Sequence, residues 1–384
     1  MSLVYGIGTK LRNTLYNKRW LASKSYPLPV ICVGNLAVGG TGKTPHTEYL
    51  INLLQAEGLQ VATLSRGYKR HTKGYLRATA ESTVSDIGDE PWQLFHNHPD
   101  IIVAVDEDRC HGIEQLLQEP PKVDAILLDD AFQHRAVSAG LNILLTDYHR
   151  LYTRDMLMPA GRLRESKAGA QRAHIVVVTK CPADLSEAEA DAIREELQLL
   201  PHQQLFFSTI AYTEPQPVFD AAPWPSIDDT YELLTITGIA HPEPMVDYLH
   251  SLTPHVVHLS YADHHDFTAT NLQHMQNKFA QLPGKKLIIT TQKDAARLQG
   301  LASQLAPAFQ QHLYALPIQV QFLFGQQNAF NQAIINFGGT RCHSKTHPYT
   351  KHADQNSYTP PQPAPSHPQR VPATLPPSPH HSFQ

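Results

Sequence analysis

The stretch from Pro29 to Thr47, PVICVGNLAVGGTGKTPHT, constrains the fold of this chain more than any other. Its apolar opening shows no polar alternation, so a strand built from it is buried on both faces, as in a parallel sheet covered by helices. The strand runs into a turn holding Gly39, Gly40 and Gly42, and a Lys43-Thr44-Pro45 sequence then opens a helix. Such a turn presents backbone N–H groups at the positive end of a helix dipole, the arrangement that receives phosphate. Gly39, Gly40, Thr41, Gly42, Lys43 and Thr44 are therefore the expected phosphate-binding residues. Lys43 would reach the outer phosphates and Thr44 would offer a hydroxyl to Mg2+. The motif G-x-x-x-x-G-K-[ST] is met except at its first glycine, where Ala37 stands. Pro45 is tolerated because the first helical turn has no intrahelical use for its N–H.

Six more apolar runs follow, QVATLSRG, IIVAVDED, DAILLDDA, NILLTDY, HIVVVTK and LFFSTI, with helices expected at 44–57, 109–118 and 186–200. Strands alternating with helices predict an α/β domain over 26–212, a P-loop NTPase-like, mostly parallel sheet with helices on both faces. The run DAILLDD, 124–130, ends in Asp129 and Asp130, carboxylates placed to hold or orient Mg2+ beside the loop. A Pro-rich connector is expected at 213–226, then a second, smaller α/β domain at 227–318. A closing strand and helix at 319–340 suits docking on either domain. The tail, 341–384, holds ten of the 30 prolines and six of the 23 histidines and is expected to be disordered.

A net charge of −4 argues against nucleic acid as a partner, and nothing in the sequence calls for an obligate protein partner. Four scattered cysteines suggest neither a disulfide framework nor a zinc knuckle. Locally the balance differs. No acid precedes Glu48, while Lys10, Arg12, Lys18, Arg19 and Lys24 flank an apolar stripe of Val4, Ile7, Leu11 and Leu15 beside Tyr5, Tyr16 and Trp20. Residues 1–25 thus read either as a basic amphipathic helix on an anionic membrane surface or as an ordinary packing helix. No run approaches the roughly 18 apolar residues of a spanning helix. Guanine specificity is disfavoured, because TKCP at 179–182 and QKDA at 292–295 both lack Asp two residues after Lys.

The run GNLAVGGTGKTP, then SRGY (65–68), DEDR (106–109), LLDDAFQHR (127–135), MPAGRLRE (158–165), DHHDF (263–267) and TTQKDAARL (290–298), resembles the tetraacyldisaccharide 4'-kinase family of Gram-negative lipid A synthesis. The blocks occur in family order across about residues 5–335, and the family itself carries a non-glycine at the position of Ala37. The resemblance implies transfer of the ATP γ-phosphate, with Mg2+, to the 4'-hydroxyl of tetraacyldisaccharide 1-phosphate. It implies a peripheral enzyme at the cytoplasmic face of the inner membrane, brought to its lipid A precursor by the N-terminal helix. Asp108 would be the base, paired with His264 or its neighbour His265, with Lys43 on the transferred phosphate. Thr44, Asp129, Asp130 and Glu165 would serve Mg2+, Asp130 and Glu165 being favoured over Asp129.

Asn35, Arg66, Tyr68, His134 and Arg164 would surround the phosphorylated sugar, since a guanidinium offers phosphate a forked donor. Lys293 and Asp294 would either serve the nucleotide or brace the second domain. Two departures stand out: Ala131 where glycine is usual, with the prospect of crowding the turn, and Arg162 where proline is frequent. Two other function classes compete, a GTPase-type metallochaperone using the His-rich tail and a membrane-docked scaffold with a dead nucleotide site.

Overall fold

The structure, a computed structural model, describes residues 2–220, 222–263 and 265–342. The tail expected to be disordered lies, from 343 onward, outside the described residues. Met1–Ser344 form one compact unit.

The alternation of apolar runs becomes β1 (Val30–Asn35), β2 (Val61–Ser65), β3 (Leu76–Arg77), β4 (Ile102–Val105), β5 (Ala125–Asp129), β6 (Leu141–Asp147), β7 (Ile175–Thr179) and β8 (Gln204–Tyr212). A smaller sheet holds β9 (Gln216–Pro217), β10 (Tyr231–Thr237), β11 (Val256–Ser260), β12 (Lys285–Thr291) and β13 (Leu313–Leu316), in the order β11-β10-β12-β13-β9. The chain then returns to the first sheet as β14 (Ile318–Phe322), giving a nine-stranded order β14-β8-β7-β6-β1-β5-β2-β4-β3. Pairing is parallel except at β3, β9 and β14. The α/β, mostly parallel expectation therefore holds.

Helices α1 (Ser2–Asn17), α2 (Lys43–Ala56), α3 (Val84–Ile87), α4 (Asp89–Asn97), α5 (Arg109–Gln118) and α6 (Glu187–Leu197) precede the crossing to the smaller sheet. After it come α7 (Glu243–Leu252), α8 (Ala269–Gln281), α9 (Gln292–Gln299), α10 (Pro307–Gln310) and α11 (Gln327–Cys342).

The absence of polar alternation in β1 has a direct structural reading. Val30 and Cys32 point into one core with Ile113 and Leu116 of α5 and Ile193 of α6. Ile31 and Val33 point into the opposite core with Leu50, Ile51 and Leu54 of α2. Phe330 and Ile334 of α11 enter that second core as well, so the closing helix docks on the larger sheet. Each such side chain contributes about 1.5–3 kcal/mol by leaving water.

Two features differ from expectation. The connector at 213–226 is not featureless, because β9 pairs antiparallel with β13. The two crossings between sheets run side by side: β8 leads to β9 while Pro317 alone separates β13 from β14, and Thr213 N donates to Pro317 O at 3.1 Å. Helices α3, α4 and α7 were not anticipated, being short and, in α4, opened by Asp89, Glu90 and Pro91 rather than by an apolar stripe.

Parallel pairing of β1 with β5 and β6, and of β2 with β4 and β5, brings the carboxyl ends of these strands to one edge, where ligands of open α/β sheets bind. Gly34 in β1 is fixed by this crowding, since a Cβ there would lie 2.7 Å from Phe132 Cβ and 3.0 Å from Phe132 N. Gly34→Ala should lower stability by about 1–3 kcal/mol in urea unfolding, whereas Gly8→Ala in α1, with nothing within 4 Å, should be neutral or mildly stabilising. Equal midpoints for the two variants would refute this packing argument.

Candidate active site

The glycine-rich turn between β1 and α2 forms the floor of the site. Gly39 and Gly42 take φ of 113° and 79°, values an L side chain resists, which accounts for glycine at both positions. Asn35, at the end of β1, donates from Nδ2 to Thr41 Oγ1 at 2.8 Å and so braces the turn from below. Lys43 and Thr44 open α2, where N–H groups have no intrahelical acceptor. Lys43 Nζ lies 3.8 Å from Asp130 Oδ1.

The two acids at the end of β5 are unlike each other. Burial would raise Asp130, but the Arg164 hydrogen bonds and the Lys43 charge outweigh it and hold its carboxyl below the usual carboxylate range. Arg164 grips it with both Nη atoms, at 3.1 and 2.6 Å, and also bonds Asn35 Oδ1. Asp129 is 2% exposed, and burial followed by the nearby charges of Glu90 and Asp130 pushes it up to about 7. A buried carboxylate short of positive charge, beside the α2 hydroxyls, fits a divalent cation. Thr47 Oγ1 is the neighbour that bonds it, at 3.4 Å.

Two of the carboxylates expected to serve Mg2+ are engaged by protein donors. Glu165 has both oxygens committed, to Arg172 at 2.7 and 2.9 Å, to Gln133 at 3.0 Å and to Asn13 of α1 at 2.9 Å. It braces the corner where α1 meets the larger sheet. Asp130 is held by Arg164 and Lys43, whereas Asp129 is bonded by Thr47.

Asp108 stands just beyond β4, at the start of α5. It caps α5, its Oδ1 accepting from Cys110 N at 2.9 Å and His111 N at 3.3 Å, and its charge is felt by Tyr26, Cys110 and His111. Besides Asp130, the carboxylate whose charge reaches Asp129 is Glu90, in the first turn of α4 beside Asp89. These two acids face the smaller sheet, Glu90 meeting Lys293 at 3.4 Å and Asp89 meeting Arg297 at 3.1 Å. A local signal existed in the Gly-Asp-Glu-Pro run at 88–91, acids at a helix start, but that pattern is common at helix starts.

Of the second-sheet residues, Asp294 braces its own body, accepting from Gly238 N, Thr291 Oγ1 and Arg297 Nη1. Lys293 faces α4. His265 stacks on Tyr261 and bonds Asn271 Oδ1 at 2.9 Å, and His264 lies outside the described residues.

Arg109 went unassigned in the sequence, yet it is the most distinctive cation of the cleft. It is 2% exposed, its Nη1 bonds Asp106 O, and its Nε and Nη2 are buried without a hydrogen-bond partner. Burial pushes it down to about 10 against the pull of Asp129 and Asp130. Two unpartnered guanidinium nitrogens call for an anion. The charge of Arg66 is felt by both Arg109 and His134, so these three cluster, while Tyr68 projects into solvent. Ala131 is accommodated: the left-handed residue of that turn is its neighbour Asp130, at φ 49°, and Ala131 packs into the core. Arg162 brings Nη1 over the loop, 3.7 Å from where a Cβ on Gly39 would stand.

A family model described as tetraacyldisaccharide-1-P 4'-kinase matches residues 1–337. A tetraacyldisaccharide 4'-kinase of Bacteroides fragilis is 53% identical over 348 residues, spanning 88% of this chain and 91% of the relative. One from Parabacteroides distasonis is 49% identical over 354 residues, spanning 90% and 95%. Among solved structures, the apo form of LpxK from Aquifex aeolicus in complex with ATP aligns with a TM-score of 0.67 at 28% identity, covering 88% of this chain and 96% of that one.

His134 generates a pH prediction. Burial, then the charges of Arg109, Arg12 and Arg66, push it down to about 4. Between roughly pH 6.5 and 4 the unfolded chain takes up a proton that the folded site refuses, so this contribution to stability is present above 6.5 and lost as pH falls. Wild type should therefore lose roughly 2–4 °C more melting temperature than His134→Phe on going from pH 7.5 to 5. Parallel losses in the two proteins would rule out a neutral, buried His134.

Proposed function

The chain belongs to the tetraacyldisaccharide-1-phosphate 4'-kinase family and is an ATP-dependent lipid A 4'-kinase; on that premise we propose how its residues divide the work. The metallochaperone alternative loses its support with this assignment. A sugar hydroxyl is a weak nucleophile, and phosphoryl transfer asks a protein for positioning, charge stabilisation and a carboxylate to take the proton.

ATP places its phosphates on the N–H groups at the start of α2, with Lys43 on the outer phosphates. Thr44 and Asp129 hold Mg2+, which when bound neutralises phosphate charge; Asp130 and Glu165 would reach the ion only after Arg164 and Arg172 let go. The buried orphan nitrogens of Arg109 are the observation that carries the reading, since they supply a fixed cation for the transferred group or the acceptor's phosphorylated headgroup. Arg66, His134, Arg164, Asn35 and Tyr68 surround that headgroup. The proton acceptor comes from the Asp89–Glu90 pair at the start of α4 rather than from Asp108, and His264 is its partner from the smaller body.

The larger sheet with β14 and α11 is the kinase core, and the smaller sheet is the part that closes on it. Exclusion of water by that closure would strengthen each charge in the cleft.

Helix α1 joins the site to the membrane. Its inner face is tied to the site, Tyr5 Oη donating to Arg164 O at 2.8 Å and Arg12 Nη2 to Gln133 O at 3.2 Å. Its outer face leaves Ile7 and Leu11 59% and 60% exposed, with Trp20 at 73% just beyond. Among the described residues no helix is long and apolar enough to cross a membrane. An apolar stripe flanked by lysine and arginine suits the surface of an anionic bilayer, here the cytoplasmic face of the inner membrane where the acyl chains stay.

Radiolabelled ATP and tetraacyldisaccharide 1-phosphate in mixed micelles test the assignment of the base. Asp89→Asn or Glu90→Gln should lower kcat about 100-fold or more, while Asp108→Ala should change it by less than about threefold and cost about 1 kcal/mol of stability as a lost cap. Collapse of transfer in Asp108→Ala alone would return the base to Asp108. Separately, Ile7→Asp with Leu11→Asp should abolish cosedimentation with anionic vesicles and raise the apparent KM for lipid, leaving the KM for ATP unchanged. Retained vesicle binding would remove α1 from the membrane contact.

A further inference from the structure

Three consecutive carbonyls of the phosphate loop are held from outside the motif. Lys180 Nζ bonds Gly40 O. Thr179 Oγ1 donates to Thr41 O at 3.0 Å, with Thr146 O at 3.3 Å as its other acceptor. His46 Nδ1 bonds Gly42 O at 2.7 Å, where the helical His46 N also donates at 3.2 Å.

None of these three side chains belongs to the G-x-x-x-x-G-K-[ST] pattern. Thr179 ends β7 and Lys180 follows it, in the TKCP segment that fails as a guanine reader. Each holder is itself held. Lys180 takes a left-handed φ of 56° and is paired with Asp147 at 2.9 Å. A non-glycine residue in that region costs about 1 kcal/mol, which the surrounding bonds must offset. His46 is buried, and its Nε2 meets Ser208 Oγ of β8 at 3.0 Å. A carbonyl only accepts, so Nδ1 carries the hydrogen and Nε2 accepts from Ser208. Burial pushes His46 down to about 4, so it is neutral in this role across the neutral range.

The geometry has a consequence for the N–H groups. A trans peptide is planar, so each C=O points opposite to the N–H of the next residue. Pinning the carbonyls of Gly40, Thr41 and Gly42 therefore fixes the N–H directions of Thr41, Gly42 and Lys43. The first of these turns back on Gly39 O at 3.2 Å. The other two stand at the start of α2, where an anion is received. A glycine-rich loop without such bonds would have to be ordered by its ligand, at the expense of affinity.

We propose that Lys180, Thr179 and His46 form a clamp that holds the phosphate loop in its anion-receptive form, and that Lys180 and His46 are positioning residues governing affinity for the nucleotide's phosphates. This rests on ATP binding at this loop. The clamp acts on binding before transfer, so its loss falls on nucleotide affinity more than on turnover at saturation.

The test uses the full chain, with ATP titrated calorimetrically and steady-state transfer to tetraacyldisaccharide 1-phosphate measured beside thermal melts. Lys180→Met should raise both Kd and KM for ATP about tenfold, the loss of about one charge-assisted hydrogen bond. It should leave kcat at saturating ATP within about threefold, with the KM for lipid unchanged. Lys180→Arg, which keeps a donor, should recover much of the affinity. His46→Asn, whose side-chain amide can donate to Gly42 O, should stay near wild type, while His46→Phe should behave like Lys180→Met. The Lys180 side chain is 30% exposed, so its replacement tests the clamp even where His46→Phe fails to fold.

Unchanged ATP affinity in a Lys180→Met protein with a wild-type melt would overturn the proposal. So would a fall in kcat with KM unaltered. Lys43→Ala separates the underlying reading: wild-type ATP affinity in that variant would mean that ATP does not use this loop at all, whatever the clamp variants do.

Discussion

Asp129 and Asp130 stand side by side at the end of a buried strand, and the charge they bring there organises the cleft. Two neighbouring carboxylates away from water cannot both be ionised without cations close by. The fold meets this requirement unequally. Asp130 receives the forked grip of Arg164 and the charge of Lys43, while Asp129 feels Lys43 and the buried, half-satisfied Arg109 only at a distance, with Glu90 and Asp130 adding to the repulsion. The Arg164–Asp130 pair is partly exposed, at 22% and 38%, so its forked geometry positions the two groups more than it stabilises the fold. The unequal arrangement also separates the two acids by role: one is locked into the scaffold, and the other retains a demand for positive charge that a nucleotide-bound cation meets.

The same network extends beyond the cleft through shared partners. Arg164 links Asp130 to Asn35, Asn35 braces Thr41, and Gln133 bonds both Asn35 O and Glu165. Glu165 in turn receives Asn13 of α1. A helix whose outer face carries Ile7 and Leu11 is thus joined, through four polar contacts, to the glycine-rich loop. Hydrogen-bond networks of this kind stiffen a site because each member is fixed by two neighbours.

What was legible in the sequence follows from which signals are local. The buried strands read correctly because a run such as PVICV cannot be satisfied by any half-exposed strand, and the loop read correctly because glycine is required at Gly39 and Gly42 by their backbone angles. The carboxylate roles rest on the family resemblance and not on any local signal. Asp108, Asp89 and Glu90 all sit at helix starts, where acids are favoured for capping and for the dipole alone, and spacing does not distinguish a cap from a base. Arg109 was equally silent, because its burial depends on β1, β2 and β5 meeting at one edge, a long-range outcome. Lys180 and His46 were hidden for the same reason: their partners are loop carbonyls more than 130 residues away in one case and within the same turn in the other.

The interface between the two sheets is made differently from either core. Where α4 meets α9 the contacts are ion pairs, Glu90 with Lys293 and Asp89 with Arg297, the side chains being 13–34% exposed. Partly exposed pairs are worth about 0–1 kcal/mol each and exchange readily with water. The chain passes between the sheets only through two adjacent crossings, joined by the bond from Thr213 to Pro317. An apolar seam would resist separation in proportion to its area, whereas charged pairs can be remade with other partners at little net cost. Glu90 is, with Asp130, an acid whose charge reaches Asp129, so the pair that ties α4 to α9 bears on the electrostatics of the cleft. Loss of the Lys293 contact would change the charge around Glu90 and, through it, around Asp129.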